Sequence, residues 1–196
     1  PQAWVDARQY RLTEVESAED LGLPPAAYAL VTQQSGGGVF SFCMCPGGVM
    51  APCATADGEV VTNGWSPSRR NNRHANSGIV TTVGELELEE LGYVGSLGAM
   101  RFQREVERAC HAAGGGGQRA PAQRLGDFVA RRPSADLPEC SYLAGLTPVD
   151  LTTLLPGFIV DRLIAGVREF ERKMPGYLHP EAVVVAPESR TSSPVR

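Results

Sequence analysis

The alternation of apolar and polar residues divides the chain into a strand-rich first half and a helix-rich second half. Short β-prone runs, separated by turn residues, occupy 27–34, 39–44, 49–54, 59–62 and 78–83. Runs this short and this close together are typical of an antiparallel meander. The intervening turns are predicted at 35–38, Pro46-Gly47-Gly48, Asp57-Gly58 and Asn63-Gly64.

In the second half, apolar residues recur with the helical period. Two long amphipathic helices are predicted over 99–113 and 161–173, the second with an inner face of Leu163, Ile164, Val167 and Phe170. The glycines at 114–117 are expected to end the first helix and Pro175-Gly176 the second. Shorter helices are predicted over 121–130 and from Thr147, as N-cap, with Pro148 in the first helical position.

The last apolar run, 182–186, has the sequence AVVVA and is apolar on both faces. Such a run predicts a strand in the centre of a sheet. The fold class is therefore α+β, with an antiparallel β meander, a helical section and a returning strand. We expect a linker or edge segment at 1–26, a domain at 27–180 that is β-rich over 27–98 and helical over 99–180, and the returning strand at 181–196.

Composition narrows the classes of function. The 196 residues include 42% hydrophobic residues and carry a net charge of −4, so neither nucleic acid nor an anionic membrane is an expected partner. No apolar run reaches the length of a bilayer span, and no signal peptide is visible. Five cysteines, an odd number, indicate a reducing compartment. A start at Pro1 and a polar end suggest a segment of a longer protein.

Three of the cysteines, Cys43, Cys45 and Cys53, surround Pro46-Gly47-Gly48. In a flat strand Cys43 and Cys45 would point to the same face about 7 Å apart, too far for an easy disulfide. The three histidines stand singly, so no metal site is predicted. Small apolar side chains within a strand are the favoured interpretation. The alternative interpretation is a ligand-facing loop, in which the glycine N–H groups bind the ligand.

Other motifs are weaker. Residues 115–120 match G-x-G-x-x-A but follow a predicted helix, whereas the dinucleotide fingerprint follows a strand. No nucleophile elbow and no P-loop is present. The basic residues Arg69, Arg70, Arg73 and His74 could contact an anion or form a solvated loop. The segment 188–196 places hydroxyls and guanidinium groups after the last strand, either at a ligand site or in a surface turn.

Seven segments together resemble the poorly characterised FAD-dependent dehydrogenases of bacteria and plastid-bearing eukaryotes. They are FCMCPGG, VTNGWS, ANSGIVTTV, MRFQREVER, APAQRLGDF, LLPGFI and ESRTSSPVR, in this order between residues 42 and 196. Glu188-Ser189-Arg190 stands where the family more usually has Glu-Thr-Arg. In that family the G-x-G-x-x-G FAD fingerprint lies N-terminal to this region, and a glycine-rich segment beyond it closes the FAD site.

The resemblance implies that 27–180 is the cap or substrate domain of a larger two-domain flavoprotein and that 181–196 returns to its FAD-binding domain. FAD is then the cofactor of the full-length protein, and the N-terminal FAD-binding domain is a partner in cis. The implied function is hydride transfer through the flavin to or from a small molecule. The segment alone would be inactive. A cytoplasmic location, or a plastid stroma, is expected.

The resemblance and the turn chemistry together give a set of candidate residues that face the cofactor or the substrate. Arg190 is expected to pair with an anionic substrate group or with reduced flavin. No residue is assigned a catalytic role, and no metal ligand is predicted. The alternative function is a non-catalytic domain that binds a small molecule or a partner protein. The candidate residues are Cys43, Cys45, Gly47, Gly48, Asn63, Asn76, Arg190, Thr191, Ser192 and Ser193.

Overall fold

Strands fill the first part of the chain and helices most of the rest, as the α+β class requires. The computed structural model describes residues 7–13, 15–24 and 29–190. Its strands are β1 Leu30–Gln34, β2 Gly37–Cys45, β3 Val49–Pro52, β4 Thr62–Trp65, β5 Asn76–Thr81, β6 Ala120–Arg124, β7 Leu146–Pro148 and β8 Val183–Val185. A helical turn lies at 7–10, and the helices after it are α1 Glu85–Glu90, α2 Gly98–Gly114, α3 Leu125–Ala130, α4 Leu151–Leu154 and α5 Gly157–Lys173. The predicted fold class is confirmed.

The first sheet has the order β1-β2-β5 and is antiparallel throughout. β1 and β2 form a hairpin around the turn at 35–36, whereas β5 pairs with β2 after two intervening strands. Val39 and Ser41 on β2 are buried, and Phe40 between them is 36% exposed. The buried face packs on α5, where Phe170 joins Val39 and Leu30 in a core cluster. The alternation along β2 therefore places this sheet against the last long helix.

β3 and β4 form a separate two-stranded antiparallel sheet. Pro46-Gly47-Gly48 therefore connects two sheets and does not close a hairpin between β2 and β3. The predicted strand at 59–62 was placed too early, since β4 begins at Thr62. The predicted turn at Asn63-Gly64 was wrong, because both residues pair with β3. Gly64 is needed for space, since a Cβ there would overlap the Asn76 side chain.

The third sheet has the order β7-β6-β8, with β6 parallel to β7 and antiparallel to β8. The helix predicted over 121–130 is correct only from Leu125, because residues 120–124 form the buried central strand β6. Thr147 and Pro148 lie in β7. The side chain of Asp150 caps α4, accepting a hydrogen bond from the Thr152 amide at 3.0 Å.

The last strand, β8, lies at the edge of this sheet, so its predicted central position was wrong. Its valines are half-buried, because they line a cleft on one side while Val184 and Val185 pack against the main core. β8 pairs with β6, so residues 183–185 complete the third sheet.

The two long helices lie close to the predicted positions. α2 ends at Gly115, which has a φ of 90° and directs its N–H to the carbonyls of the last turn. α5 buries Ile164, Val167 and Phe170 as expected. The main core lies between α2, α3, α5 and the third sheet, with Phe128, Leu151, Val160 and Val167 almost fully inaccessible. In the described ranges, every helix falls short of the length and hydropathy that a membrane span needs.

Candidate functional site

A cleft of about 680 Å³ opens where the edge strands β5 and β8 meet the small β3–β4 sheet. Its size is within the range of small-molecule sites. The walls combine apolar side chains with a few convergent polar groups, which is the usual composition of such a site. The apolar part is formed by Met44, Met50, Ile79, Met174, Val183 and Val184.

Glu188, which follows β8, places its carboxyl group in this cleft, over the main chain of Gly78. A Cβ on Gly78 would overlap Glu188 Oε2, so the glycine makes room for the carboxyl. Glu188 forms no hydrogen bond or ion pair with any described residue. Burial raises the pKa of its carboxyl, since desolvation disfavours the charged form. Within the described ranges Glu188 is therefore an acid without a partner, and its proton is held more tightly than that of an exposed glutamate.

Asn76 lies on the same strand, two residues before Gly78 and on the same face. Its amide nitrogen is buried and has no hydrogen-bond partner among the described residues. The amide is held between two glycines: a Cβ on Gly48 would lie 2.5 Å from Asn76 Nδ2, and one on Gly64 would overlap Oδ1. The N–H group is enclosed by this packing, and an unsatisfied buried donor costs about 1–3 kcal/mol.

Hydroxyl groups line the opposite side of β5. The Tyr177 hydroxyl lies 2.8 Å from Ser41 Oγ and 3.5 Å from Ser77 Oγ. Burial raises the pKa of Tyr177, although the two serine hydrogen bonds lower it in part. Tyr177 is therefore neutral at physiological pH and offers this wall a hydroxyl group.

The cysteines do not share a face, contrary to the expectation for a flat strand. The register of β2 against β5 shifts between Phe42 and Cys45, and Cys43 has a φ of 48°. This irregularity leaves Cys43 exposed while Cys45 is buried, although both line the cleft. Burial raises the pKa of Cys43 and Cys53, which keeps these thiols protonated. The described residues contain no cluster of three or more His, Cys, Asp or Glu suited to a metal ion.

Gly47 and Gly48 lie behind the cleft wall, to which only Pro46 of this turn contributes. The Gly48 N–H donates to the His74 carbonyl at 2.9 Å, so it is not free for a ligand. A Cβ on Gly47, which has a φ of 57°, would overlap the Arg70 carbonyl. The two glycines thus allow the loop that carries Arg70, Arg73 and His74 to pack against the end of β2. Within that loop Arg73 pairs with Glu139 at 2.8 Å.

Arg190 is directed away from the main cleft and into a buried pair of carboxylates. Its Nη2 lies 2.6 Å from Glu107 Oε2 and 3.0 Å from Glu59 Oε2, and its Nε donates to Glu107 Oε1 at 3.0 Å. Burial raises the pKa of Glu107, but hydrogen bonds from Arg190, Ser189 and Gln103 outweigh it and hold the pKa below its ordinary value. Arg190 lines a second, smaller cavity of about 280 Å³.

The candidate residues therefore fall into three groups. Four of them, Cys43, Cys45, Asn63 and Asn76, lie together on the cleft. Three, Gly47, Gly48 and Arg190, support neighbouring structure instead. The remaining three, Thr191, Ser192 and Ser193, lie outside the described residues. Sequence reasoning missed Glu188 and Tyr177; the carboxyl directly after the last apolar run was the available signal for Glu188.

The described residues fit part of a flavin site. The exposed amide of Asn63 offers a donor and Glu188 an acceptor, which suits the polar edge of a ring or of a substrate. The glycines at 114–117 do not form a pyrophosphate cradle, since Gly115 N and Gly116 N donate to Ala112 and His111 carbonyls at the end of α2. The phosphate-binding part of FAD is thus not provided by this glycine tract.

Comparison with known proteins identifies the family of the chain. The family model described as "FAD-dependent protein, C-terminal domain-like" matches residues 1–191. An uncharacterized protein of Clostridium beijerinckii (strain ATCC 51743 / NCIMB 8052) is 41% identical over 161 residues, which are 81% of this chain. The chain covers only 30% of that relative's length. With nearly its whole length matched, the chain belongs to the family of FAD-dependent protein, C-terminal domain-like sequences.

Proposed function

We propose that this chain is the substrate-binding segment of an FAD-dependent oxidoreductase, and that the cleft between β4, β5 and β8 holds the substrate. The observation that carries the proposal is the cleft itself, whose size, apolar walls and few polar side chains suit a small organic molecule. Membership of a family of FAD-dependent proteins supports redox chemistry at that place.

In this role the chain's own residues bind and orient the substrate, while FAD, when bound, supplies two-electron chemistry. The methionines and valines of the cleft exclude water from the reacting atoms. The Asn63 amide and the Glu188 carboxyl line the cleft and offer hydrogen bonds that fix the orientation of a polar group. The Arg190 network holds residues 189–190 against α2 and so keeps the adjacent Glu188 at the cleft.

The test uses the full-length protein that contains this segment, purified with FAD. Its bound flavin is followed by visible absorbance while NADH, NADPH and small alcohols, amines and carbonyl compounds are added anaerobically. We expect FAD to bind and its redox state to change with at least one of these compounds. An Asn63→Trp substitution, which fills the mouth of the cleft, should slow that reaction roughly tenfold or more.

The matched control is Glu90→Trp, which adds an indole to the exposed side of α1. It should leave the rate unchanged. Absence of bound FAD would contradict the oxidoreductase assignment. Flavin chemistry that is indifferent to Asn63→Trp would place the substrate elsewhere and would favour the non-catalytic binding domain for this segment.

A further inference from the structure

Three carboxyl groups of the described residues line the cleft, and two of them have an arginine partner. Glu139 pairs with Arg73 at 2.8 Å. Glu181 pairs with Arg124 at 3.6 Å, and the side chains of both glutamates are largely exposed. Glu188 is half-buried, yet it forms no ion pair with any described residue. The cleft carboxyl with the least access to water is thus the one that has no compensating charge.

The immediate surroundings of the Glu188 carboxyl are apolar. A Cβ built on Gly78 would lie 2.4 Å from Glu188 Oε2 and 2.8 Å from Phe42 Cζ. The carboxyl oxygen and the edge of the ring therefore converge on one point above β5, and the ring limits access of water from that side. Arg70 also lines the cleft, but it is exposed and forms no ion pair with Glu188.

The nearby titratable groups do not supply the missing charge. The thiols of Cys43 and Cys53 interact with Glu188, and burial raises their pKa, so they stay neutral. Arg190, two residues further along the chain, is held by the buried pair Glu107 and Glu59 at 2.6 and 3.0 Å. A carboxylate removed from water without a cation is unfavourable, so a positively charged ligand group would gain from meeting it.

We propose that the cleft binds an organic amine as its cation, with the ammonium group on the Glu188 carboxylate and the apolar body against Met50, Ile79 and Val184. Naming this amine as the substrate rests on the proposed function, whereas its binding needs no flavin. The ammonium group donates charge-assisted hydrogen bonds to the carboxylate and favours its ionised form.

Other classes of ligand fit the Glu188 site less well. A neutral molecule leaves the carboxylate uncompensated, and an anion is repelled by it. The part of the chain that the structure describes holds no cluster of His, Cys, Asp or Glu suited to a metal ion. An organic cation uses both the carboxylate and the apolar walls of methionine, isoleucine and valine.

The first experiment measures binding to the chain without flavin. Isothermal titration calorimetry at neutral pH compares 2-phenylethylamine, 2-phenylethanol and phenylacetate, which share an aromatic body and differ in charge. We expect the amine to bind roughly tenfold more tightly than the alcohol, because a charge-assisted hydrogen bond contributes at least that factor. Phenylacetate should bind more weakly than either. Glu188→Gln should weaken amine binding roughly tenfold and leave alcohol binding unchanged.

Two further variants separate the Glu188 contact from the general charge of the cleft. Glu181→Gln removes the same charge from an exposed ion pair and should change amine affinity by less than about twofold. Glu188→Asp keeps the charge and should retain the preference for the amine over the alcohol. Circular dichroism checks that each variant is folded. Absence of amine binding, equal affinities for the three compounds, or equal losses in Glu188→Gln and Glu181→Gln would each overturn the inference.

The second experiment repeats the titration with the full-length protein that contains this segment, purified with FAD. The preference for the amine should persist and should still depend on Glu188. Failure to bind FAD would contradict the proposed function, while amine binding by the chain alone would still support the site. Amine binding that is present in the chain but lost in the full-length protein would show that the rest of the polypeptide pairs with Glu188, and would overturn the inference.

Discussion

Arg190 shows how far a single residue's role depends on its neighbours. Its guanidinium lies between Glu107, which is fully buried, and Glu59, which is 3% exposed. Arg104 and Arg108, on α2, approach Glu59 only at 3.7 and 3.9 Å and are half-exposed. The two buried carboxylates therefore depend mainly on Arg190 for their compensating charge.

We predict that Arg190→Leu destabilises the fold by about 3–5 kcal/mol, since removing one partner leaves uncompensated buried charge. Urea unfolding measures the free energy of unfolding. The control is Arg73→Leu, which removes an exposed pair with Glu139 and should cost about 1 kcal/mol or less. Equal effects of the two substitutions would contradict the role assigned to the buried network.

The pH dependence follows from the same network. Hydrogen bonds outweigh burial and lower the pKa of folded Glu107, so its contribution to stability is complete above the pKa of an unfolded glutamate. That contribution is lost as the pH falls through the lower pKa of the folded state. The stability difference between wild type and Arg190→Leu should therefore be largest near neutral pH and shrink in acid. A difference that stays constant down to strongly acidic pH would exclude Glu107 as its source.

At the scale of elements, the contact between α5 and the first sheet depends on a glycine. A Cβ on Gly166 would lie 2.5 Å from Cγ1 of the fully buried Val39 on β2. Glycine inside a helix costs roughly 1 kcal/mol relative to alanine. Glycine occurs at position 166 because α5 and β2 approach too closely for a Cβ at this point.

We predict that Gly166→Ala destabilises the protein by about 1–3 kcal/mol, because overpacking exceeds the gain in helix propensity. The control is Gly126→Ala in α3, where a Cβ meets no atom within 4 Å and a gain of up to about 1 kcal/mol is expected. Combining Gly166→Ala with Val39→Ala tests the contact directly in a double-mutant cycle. Strictly additive effects would show that the two side chains do not interact.

At the scale of the whole molecule, the five cysteines report on which parts of the fold stay closed. Cys43 and Cys53 are exposed, whereas Cys110 on α2 is fully buried in the main core. Burial, assisted by the charge of Glu107, raises the pKa of Cys110 to about 12. Only its thiolate reacts with alkylating reagents, and only when the core opens.

We predict that iodoacetamide modifies Cys43 and Cys53 in the native protein at least about 10²-fold faster than Cys110. All five should react at similar rates in urea. Peptide mass spectrometry after timed quenching measures each site separately. Rapid modification of Cys110 without denaturant would show that the core between α2 and the third sheet opens readily.

Local patterns in the chain were sufficient for the elements with strong signals. The period of apolar residues located α2 and α5, and Gly115 after α2 marked its end, because backbone conformation at a helix terminus is a local property. β1, β2 and β5 followed from β-prone runs between turn residues. The resemblance of seven segments correctly identified the family, whose model matches residues 1–191.

Which distant segments contact one another was decided only by the tertiary structure. Asn63-Gly64 is a turn signal in isolation, yet the Asn76 amide occupies the space above Gly64 and both residues join β4. β8 is as apolar as a central strand, yet β6 takes the centre of the sheet. Arg190 resembles a free anion-binding group until Glu59 and Glu107 are brought to it.

The division has a physical reason. The sequence alone determined where helices and strands can form and which family the chain resembles, because propensity and motif are carried by neighbouring residues. The tertiary structure decided which polar groups are paired and which are not, because pairing depends on contacts across more than 80 residues of chain, as between Glu107 and Arg190. Among the described residues it left the Glu188 carboxyl at the cleft without a partner and enclosed the Asn76 amide nitrogen without one, although neither residue's local sequence marks it as unpaired.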